Sequence, residues 1–248
     1  MSGPEGEAAG RGEEHPAAEQ PPLLPTPAVP EPNPYVSRGG LKMHAALAAF
    51  APLGMDARGL TCADFGCSTG GFTDCLLQHG AARVYAIDTA YGELAWRLRN
   101  DPRVTVMERT NCLHAPPPVE VAGAGGVDLV VADAGWTVQR LLVPAALRWL
   151  TPAGRMITLV KPHYEKSAAE RDAGGRSAAG RSQGPRGGRG AVVLDEREAL
   201  EVTRRVLAAL PALGVRVEAW VRSPVLGGAD ARGKGGGNPE YLALLARA

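Results

Sequence analysis

The chain has 248 residues, 45% of them hydrophobic and 21% charged, enough to bury one sizeable core. Its net charge of +1 is uneven: residues 1–34 hold six Glu and one Arg, a net of −5, which leaves +6 on residues 35–248. That mildly basic remainder suits a polyanionic partner. No run approaches the ~20 apolar residues of a spanning helix, no basic-then-apolar leader opens the chain, and Cys62, Cys67, Cys75 and Cys112 form no CxxC pair. A reduced, cytoplasmic chain without membrane or metal is expected.

Residues 1–34 are rich in Pro, Glu, Ala and Gly and are expected to be a disordered tail. Order is expected from Tyr35 on. Met43, Leu47 and Phe50 share one helical face, and Pro52 ends that helix. Leu60 to Phe65 reads as a short buried strand. Phe72 to His79 reads as a helix, with Gly80 suited to its C′ position. Strands follow at Arg83 to Asp88, Arg103 to Met107, Val127 to Asp133 and Arg155 to Val160. Helices are expected at Tyr91 to Asn100 and, despite Pro144, at Val138 to Leu150. Asn111 to Gly126 reads as a Pro/Gly-rich loop. This alternation implies a parallel, doubly wound α/β sheet.

Residues 166–190 interrupt the pattern with six Lys/Arg, two acids and many Gly, Ser and Ala. The stretch reads as a flexible insertion: either a solvated loop or an Arg/Gly arm for RNA phosphate. Asp195 then caps a helix, with Glu198 at the capping-box position. Val215 to Val221 and Tyr241 to Leu245 read as two last strands, separated by a Gly-rich loop, Gly227 to Gly237.

The stretch Asp64-Phe65-Gly66-Cys67-Ser68-Thr69-Gly70-Gly71-Phe72 is a Gly-rich turn between a strand and a helix. Such a turn lets backbone N–H groups approach a ligand. Asp88 ends the next strand, 22 residues after Gly66, where a Rossmann-type domain places the carboxylate for ribose hydroxyls. Ser68 stands at the third position of the turn, where a dinucleotide fingerprint wants glycine, and Asp64 would repel a pyrophosphate but attract an ammonium or sulfonium. The turn therefore favours S-adenosylmethionine over NAD.

Lys42, Asp133, Lys161 and Glu240 stand at element ends. Residues just past the C-termini of parallel strands line the ligand crevice, so Asp133 and Lys161 are expected beside the turn. A neighbouring lysine and partial burial would favour a neutral, basic amine, and nearby carboxylates would oppose that while fixing geometry.

Ser37-Arg38-Gly39-Gly40-Leu41-Lys42, Asp64 to Asp74, Asp88, Leu94 to Val104, Glu108-Arg109-Thr110-Asn111, Lys161-Pro162 with Glu165, and Gly237 to Tyr241 occur in family order. Together they resemble the FtsJ-like RNA 2′-O-methyltransferases, and their TlyA (hemolysin A-like) branch in particular. The resemblance spans nearly all of residues 35–248. It implies a Rossmann-like class I methyltransferase fold, mostly parallel, with an antiparallel C-terminal strand. It implies methyl transfer from S-adenosylmethionine to a ribose 2′-hydroxyl of RNA, ribosomal RNA above all, free or in a ribosomal subunit. The family's Lys-Asp-Lys-Glu tetrad maps onto Lys42, Asp133, Lys161 and Glu240. Lys161 would deprotonate or orient the hydroxyl, Lys42 and Glu240 would position the nucleotide, and Asp133 would hold Lys161 near the methyl donor. Gly66, Ser68, Thr69, Gly70, Gly71, Phe72, Glu108 and Asn111, with Asp64, Asp88 and Asp133, would form the cofactor site.

The chain departs from that branch in three places. A Pro/Glu-rich tail replaces the usual N-terminal S4 RNA-binding domain. Ala134-Gly135-Trp136-Thr137 replaces a Ser-Phe-type sequence, and Trp136 is expected in the core rather than stacked on a base. The 166–190 insertion is long. Two rival functions remain on the residues alone. Gly66-Cys67-Ser68-Thr69-Gly70 fits a serine-hydrolase elbow with Asp133 and His163 in order, but it follows the first strand and leaves Lys42, Asp88 and Glu240 idle. A non-catalytic module binding S-adenosylmethionine or RNA is the other.

Overall fold

The protein is described by a computed structural model over residues 20–173, 193–228 and 237–248. Eight strands form one sheet: β1 (Leu23–Leu24), β2 (Thr61–Phe65), β3 (Arg83–Ile87), β4 (Val104–Met107), β5 (Val127–Ala132), β6 (Leu150–Val160), β7 (Val215–Arg222) and β8 (Tyr241–Arg247). Their order is β1-β7-β8-β6-β5-β2-β3-β4. The β6-β5-β2-β3-β4 block is parallel throughout, and β8 runs antiparallel to both β6 and β7. This is the doubly wound sheet with an antiparallel C-terminal strand that the sequence led us to expect.

Helices cover both faces, and strand alternation explains why. In β5, Leu129 and Val131 pack into one core with Met43, Phe50 and Leu76, whereas Val130 and Ala132 pack into the other with Phe65, Leu142 and Trp149. Strands buried on both sides read as continuous apolar runs, which is how β5 and β8 read. The first face carries α1 (Gly39–Phe50) and α2 (Gly71–Gln78); α5 (Gln139–Leu147) and α7 (Glu196–Ala209) contribute to the second. Asp195 caps α7, its Oδ1 accepting from Glu198 N at 2.8 Å.

Glycines set how closely α1 meets α2. A Cβ on Gly71 would stand 2.3 Å from Ser37 Oγ and 2.7 Å from Gly40 N, and one on Gly40 would enter the Tyr35 ring. Asp74, on α2, accepts from Val36 N at 2.8 Å and pairs with Arg97. These contacts fix the approach to α1 and therefore where Lys42, one turn in, projects.

Several expectations need correction. Within the supposed tail, Leu23 and Leu24 pair in parallel with Trp220 and Val221, and Trp220 Nε1 donates to Pro21 O at 2.9 Å. The short apolar pair among prolines is enough to cover an otherwise open sheet edge; residues 1–19 lie outside the description. Only Trp96–Arg99 (α3) is helical within 91–100. Gly92 takes φ +78, its N donates to Glu108, and Ala95 N donates to Thr69 O, so the helical ladder is pre-empted. A short α4 (Val119–Gly123) lies in the expected loop. Residues 166–173 belong to α6 (Pro162–Ala173), while the rest of the proposed insertion falls outside the described residues. No helix among the described residues is long and apolar enough to cross a membrane.

Candidate active site

The Gly-rich turn links the end of β2 to α2. Gly66 (φ +82) cannot carry a side chain, because a Cβ would lie 2.9 Å from Asp133 O and from Ala134 Cα. Gly70 (φ +97) is both the N-cap of α2 and the floor for Leu94 and Leu98. Ser68 adopts φ +47, an uncommon conformation for a side-chain-bearing residue. Its N–H donates to Asp88 Oδ2 at 2.8 Å, and Asp88 Oδ1 accepts from Ala90 N at 2.8 Å. Asp88 thus ties the turn to the next loop at the C-terminal edge of β3. Ser68 and Thr69 are exposed at the bend.

Not every residue expected at the cofactor reaches the surface. Phe72 is buried in the core beneath α1, and Gly71 is covered by Ser37 and Gly40; both shape the turn from behind. Asp64 is fully buried, its Oδ2 accepting from Thr73 N at 3.0 Å and Thr73 Oγ1 at 2.7 Å. Its Oδ1 has no partner, and burial pushes its carboxyl up to about 7 against the Thr73 hydrogen bonds. Glu108 is held by Arg99, whose hydrogen bond depresses its pKa, and accepts from Gly92 N at 2.7 Å. Asn111 Oδ1 accepts from Leu113 N at 2.9 Å in a local turn.

The four charged groups come together. Lys42 Nζ lies 2.6 Å from Glu240 Oε2 and 3.5 Å from Asp133 Oδ2. Asp133 Oδ1 lies 2.6 Å from Lys161 Nζ, which also reaches Ala134 O at 3.5 Å. The result is one chain, Glu240–Lys42–Asp133–Lys161, contributed by α1 and by the C-terminal end of β5, the exit of β6 and the entry of β8. Side-chain exposure is 3% for Glu240, 11% for Lys42, 22% for Asp133 and 12% for Lys161. Burial favours the neutral forms of Lys42 and Asp133, but the neighbouring opposite charges outweigh it: the pKa of Lys42 is raised and that of Asp133 is lowered. Asp133 is joined to the Gly-rich turn by its N–H, which donates to Phe65 O at 3.1 Å. A surface hollow lined by Met55, Asp128 and Arg155 lies at the other end of these strands and holds none of these groups.

Three residues at the site carry no role in the sequence reading. Gly227 bridges to Asn238 and leaves room for the Glu240 carboxylate, since a Cβ there would stand 2.0 Å from Oε1. Glu165 Oε1 accepts from Gln139 N at 2.8 Å. Tyr164 packs its ring 5.0 Å from that of Trp136. Trp136 itself is 60% exposed at φ +63, not in the core as expected, because the loop after Asp133 turns outward over α6. The hydrolase triad is not assembled: Ser68 Oγ donates to Glu93, Asp133 is held by lysines, and the buried Nδ1 of His163 has no partner. Among the described residues there is no metal-ligating cluster.

The chain is similar to several known proteins. The FtsJ-like methyltransferase family profile matches residues 35–179. YqxC of Bacillus subtilis is 36% identical over 222 residues, covering 90% of this chain and 69% of that protein. The 16S/23S rRNA (cytidine-2′-O)-methyltransferase TlyA of Mycobacterium tuberculosis is 46% identical over 141 residues, covering 57% of this chain and 50% of TlyA, so the chain spans about half the length of that relative. A solved hemolysin-type protein from Streptococcus thermophilus superposes with a TM-score of 0.68 at 33% identity, covering 88% of this chain and 69% of its own. With a profile match over more than half its length and a relative matched over most of both chains, the protein belongs to the FtsJ-like methyltransferase family.

Proposed function

We propose that the chain transfers a methyl group from S-adenosylmethionine to a ribose 2′-hydroxyl of ribosomal RNA, in the cytoplasm and with a ribosomal subunit as the substrate particle. One observation carries this reading: the Glu240–Lys42–Asp133–Lys161 chain sits at the C-terminal edge of the sheet, directly joined to the Gly-rich turn. That edge is where an open parallel sheet binds its ligands.

The residues present suit the cofactor. The exposed Ser68–Thr69 bend offers backbone groups, and the Asp88 carboxylate has lone pairs beyond its two backbone bonds for a ribose diol. Asp64, buried beneath the bend with one oxygen unpartnered, would favour a cation there when ionised. Gly66 keeps the bend close to Asp133 and Gly70 seats it on Leu94 and Leu98; Glu108 and Asn111 shape the adenosine side by holding the 88–96 loop and the turn after β4. When bound, S-adenosylmethionine supplies an electrophilic methyl group on a sulfonium.

The chain's own residues then do the following. Lys161 holds the ribose hydroxyl, or takes its proton as the oxygen becomes nucleophilic; a positioned base contributes ~10²–10⁴-fold. Asp133 fixes the Lys161 amine at 2.6 Å. Lys42, clamped between two carboxylates, stays an ammonium and orients the nucleotide, with Glu240 fixing Lys42 at 2.6 Å. Alignment of oxygen, carbon and sulfur supplies much of the remaining acceleration. The test is incubation of the protein with radiolabelled S-adenosylmethionine and ribosomal subunits, followed by mapping of 2′-O-methyl marks. Label on a ribose oxygen that disappears in Lys161→Met supports the reading; label on a base, or no label on any ribosomal RNA, refutes it.

A further inference from the structure

The loop Ala134–Val138 joins the tetrad carboxylate Asp133 to α5, and the exit of β6 together with α6 holds this segment at three places. At its start, Asp133 Oδ1 meets Lys161 Nζ at 2.6 Å. At its apex, Trp136 packs on Tyr164 at 5.0 Å. At its end, Gln139 N, the first N–H of α5, donates to Glu165 Oε1 at 2.8 Å. Gln139 is itself an anchor: 1% exposed, its Nε2 donates to Leu159 O at 3.1 Å and its Oε1 accepts from Thr158 Oγ1 at 2.8 Å. Thr158 and Leu159 lie on β6 just before Lys161. A polar chain thus runs from Glu165 through Gln139 into the strand that delivers Lys161.

We propose that Glu165 is a positioning residue for methyl transfer, holding the Ala134–Val138 loop on α6 so that Asp133 and Trp136 keep their register to Lys161. The proposal rests on the function proposed above and deepens it. A carboxylate at a helix's first N–H is favoured by the helix dipole. Here it links two helices rather than capping its own. Burial lifts the Glu165 carboxyl to about 7, against the Gln139 backbone hydrogen bond and the charge of Arg140. Its role as an acceptor does not need the charge, since a protonated acid or an amide keeps an acceptor oxygen. Glu165→Gln should therefore work where Glu165→Ala does not.

The experiment compares wild type, Glu165→Ala and Glu165→Gln. Three readouts are taken: kcat and KM for ribosomal RNA methylation, the Kd for S-adenosylmethionine, and backbone amide hydrogen exchange over 134–141. For Glu165→Ala the expected result is at least a tenfold fall in kcat, a cofactor Kd within twofold of wild type, and faster exchange confined to 134–141. For Glu165→Gln, kcat within threefold and wild-type exchange are expected. Unchanged exchange in Glu165→Ala, kcat within twofold there, or a Gln variant as impaired as the Ala variant overturns the proposal. An equal loss of cofactor binding also overturns it, since that marks a general collapse of the site. If the wild type methylates no ribosomal RNA, the functional reading fails by itself, and the exchange comparison still decides whether Glu165 holds the loop.

Discussion

Replacing Gly227 with alanine places a methyl carbon 2.0 Å from Glu240 Oε1, 2.4 Å from Cδ and 3.0 Å from Oε2. The carboxylate must then retreat by about 1 Å or more to restore ordinary contact. It has little room, being 3% exposed and bonded to Lys42 at 2.6 Å. Overpacking of this kind costs about 1–3 kcal/mol, which for a domain of this size lowers Tm by roughly 2–4 °C per kcal/mol. The larger effect is on function, because a misplacement near 1 Å can cost about 10²-fold in rate. Methyl incorporation should fall about 100-fold, while S-adenosylmethionine affinity changes little, since Gly227 lies on the Glu240 side of the tetrad. Gly214→Ala is the control: its φ of +81 is strained for alanine, but nothing lies within 4 Å of the new Cβ. It should lower stability without touching rate. A Gly227→Ala protein with wild-type activity would show that the Lys42–Glu240 contact does not serve catalysis.

Lys161→Met should abolish measurable transfer, a loss of at least about 10²-fold, with cofactor Kd within threefold by calorimetry; a variant of wild-type rate removes Lys161 from the reaction. Asp64 has a carboxyl raised to about 7, so its contribution to stability is largest below the unfolded value and is lost as pH rises through 7. Wild-type Tm should therefore drop more steeply between pH 5 and 7 than that of Asp64→Asn, whose amide oxygen still accepts from Thr73; parallel profiles contradict this. Trp220→Phe deletes the bond to Pro21 O, worth about 0.5–1.5 kcal/mol. Amides of residues 20–26 should exchange faster in it, and unchanged exchange would mean that β1 is held by other contacts.

Periodicity and strand burial made the sheet legible: every strand of the parallel block was visible as an apolar run, and Asp195 announced α7. The tetrad was legible because its members fall at strand and helix ends and match a family motif, although composition alone could not say that Lys42, from a helix 91 residues before Asp133, closes onto it. What escaped was encoded across the chain rather than along it. Leu23 and Leu24 look idle until the β7 edge is known to need a partner. Tyr91 to Ala95 looks helical until Gly92 N and Ala95 N are seen to donate to Glu108 and Thr69. Trp136 looks like core because an isolated aromatic usually is, and only the turn after Asp133 puts it outside. Gly227 gave no signal in a run of glycines; what marks it is the carboxylate facing it.

The alternation of charge in the tetrad bears on which amine does what in the proposed reaction. Taken ionised, Glu240, Lys42, Asp133 and Lys161 sum to zero, so the group can be buried without leaving an unmatched charge, whereas removing any one member would strand another. Within that neutral chain the lysines are not equivalent. Lys42 lies inside, between Glu240 and Asp133, and its raised pKa keeps it an ammonium at any pH near neutrality. It can attract or orient but cannot receive a proton. Lys161 stands at the end, with Asp133 as its carboxylate partner and the Ala134 carbonyl and the Tyr164 ring beside it. Lys161 is also the one of the two whose strand end and following helix border the loop that carries Trp136. In the proposed reaction the amine that meets the ribose hydroxyl must stand at an end of such a chain, where substrate can reach it, and Lys161 stands there.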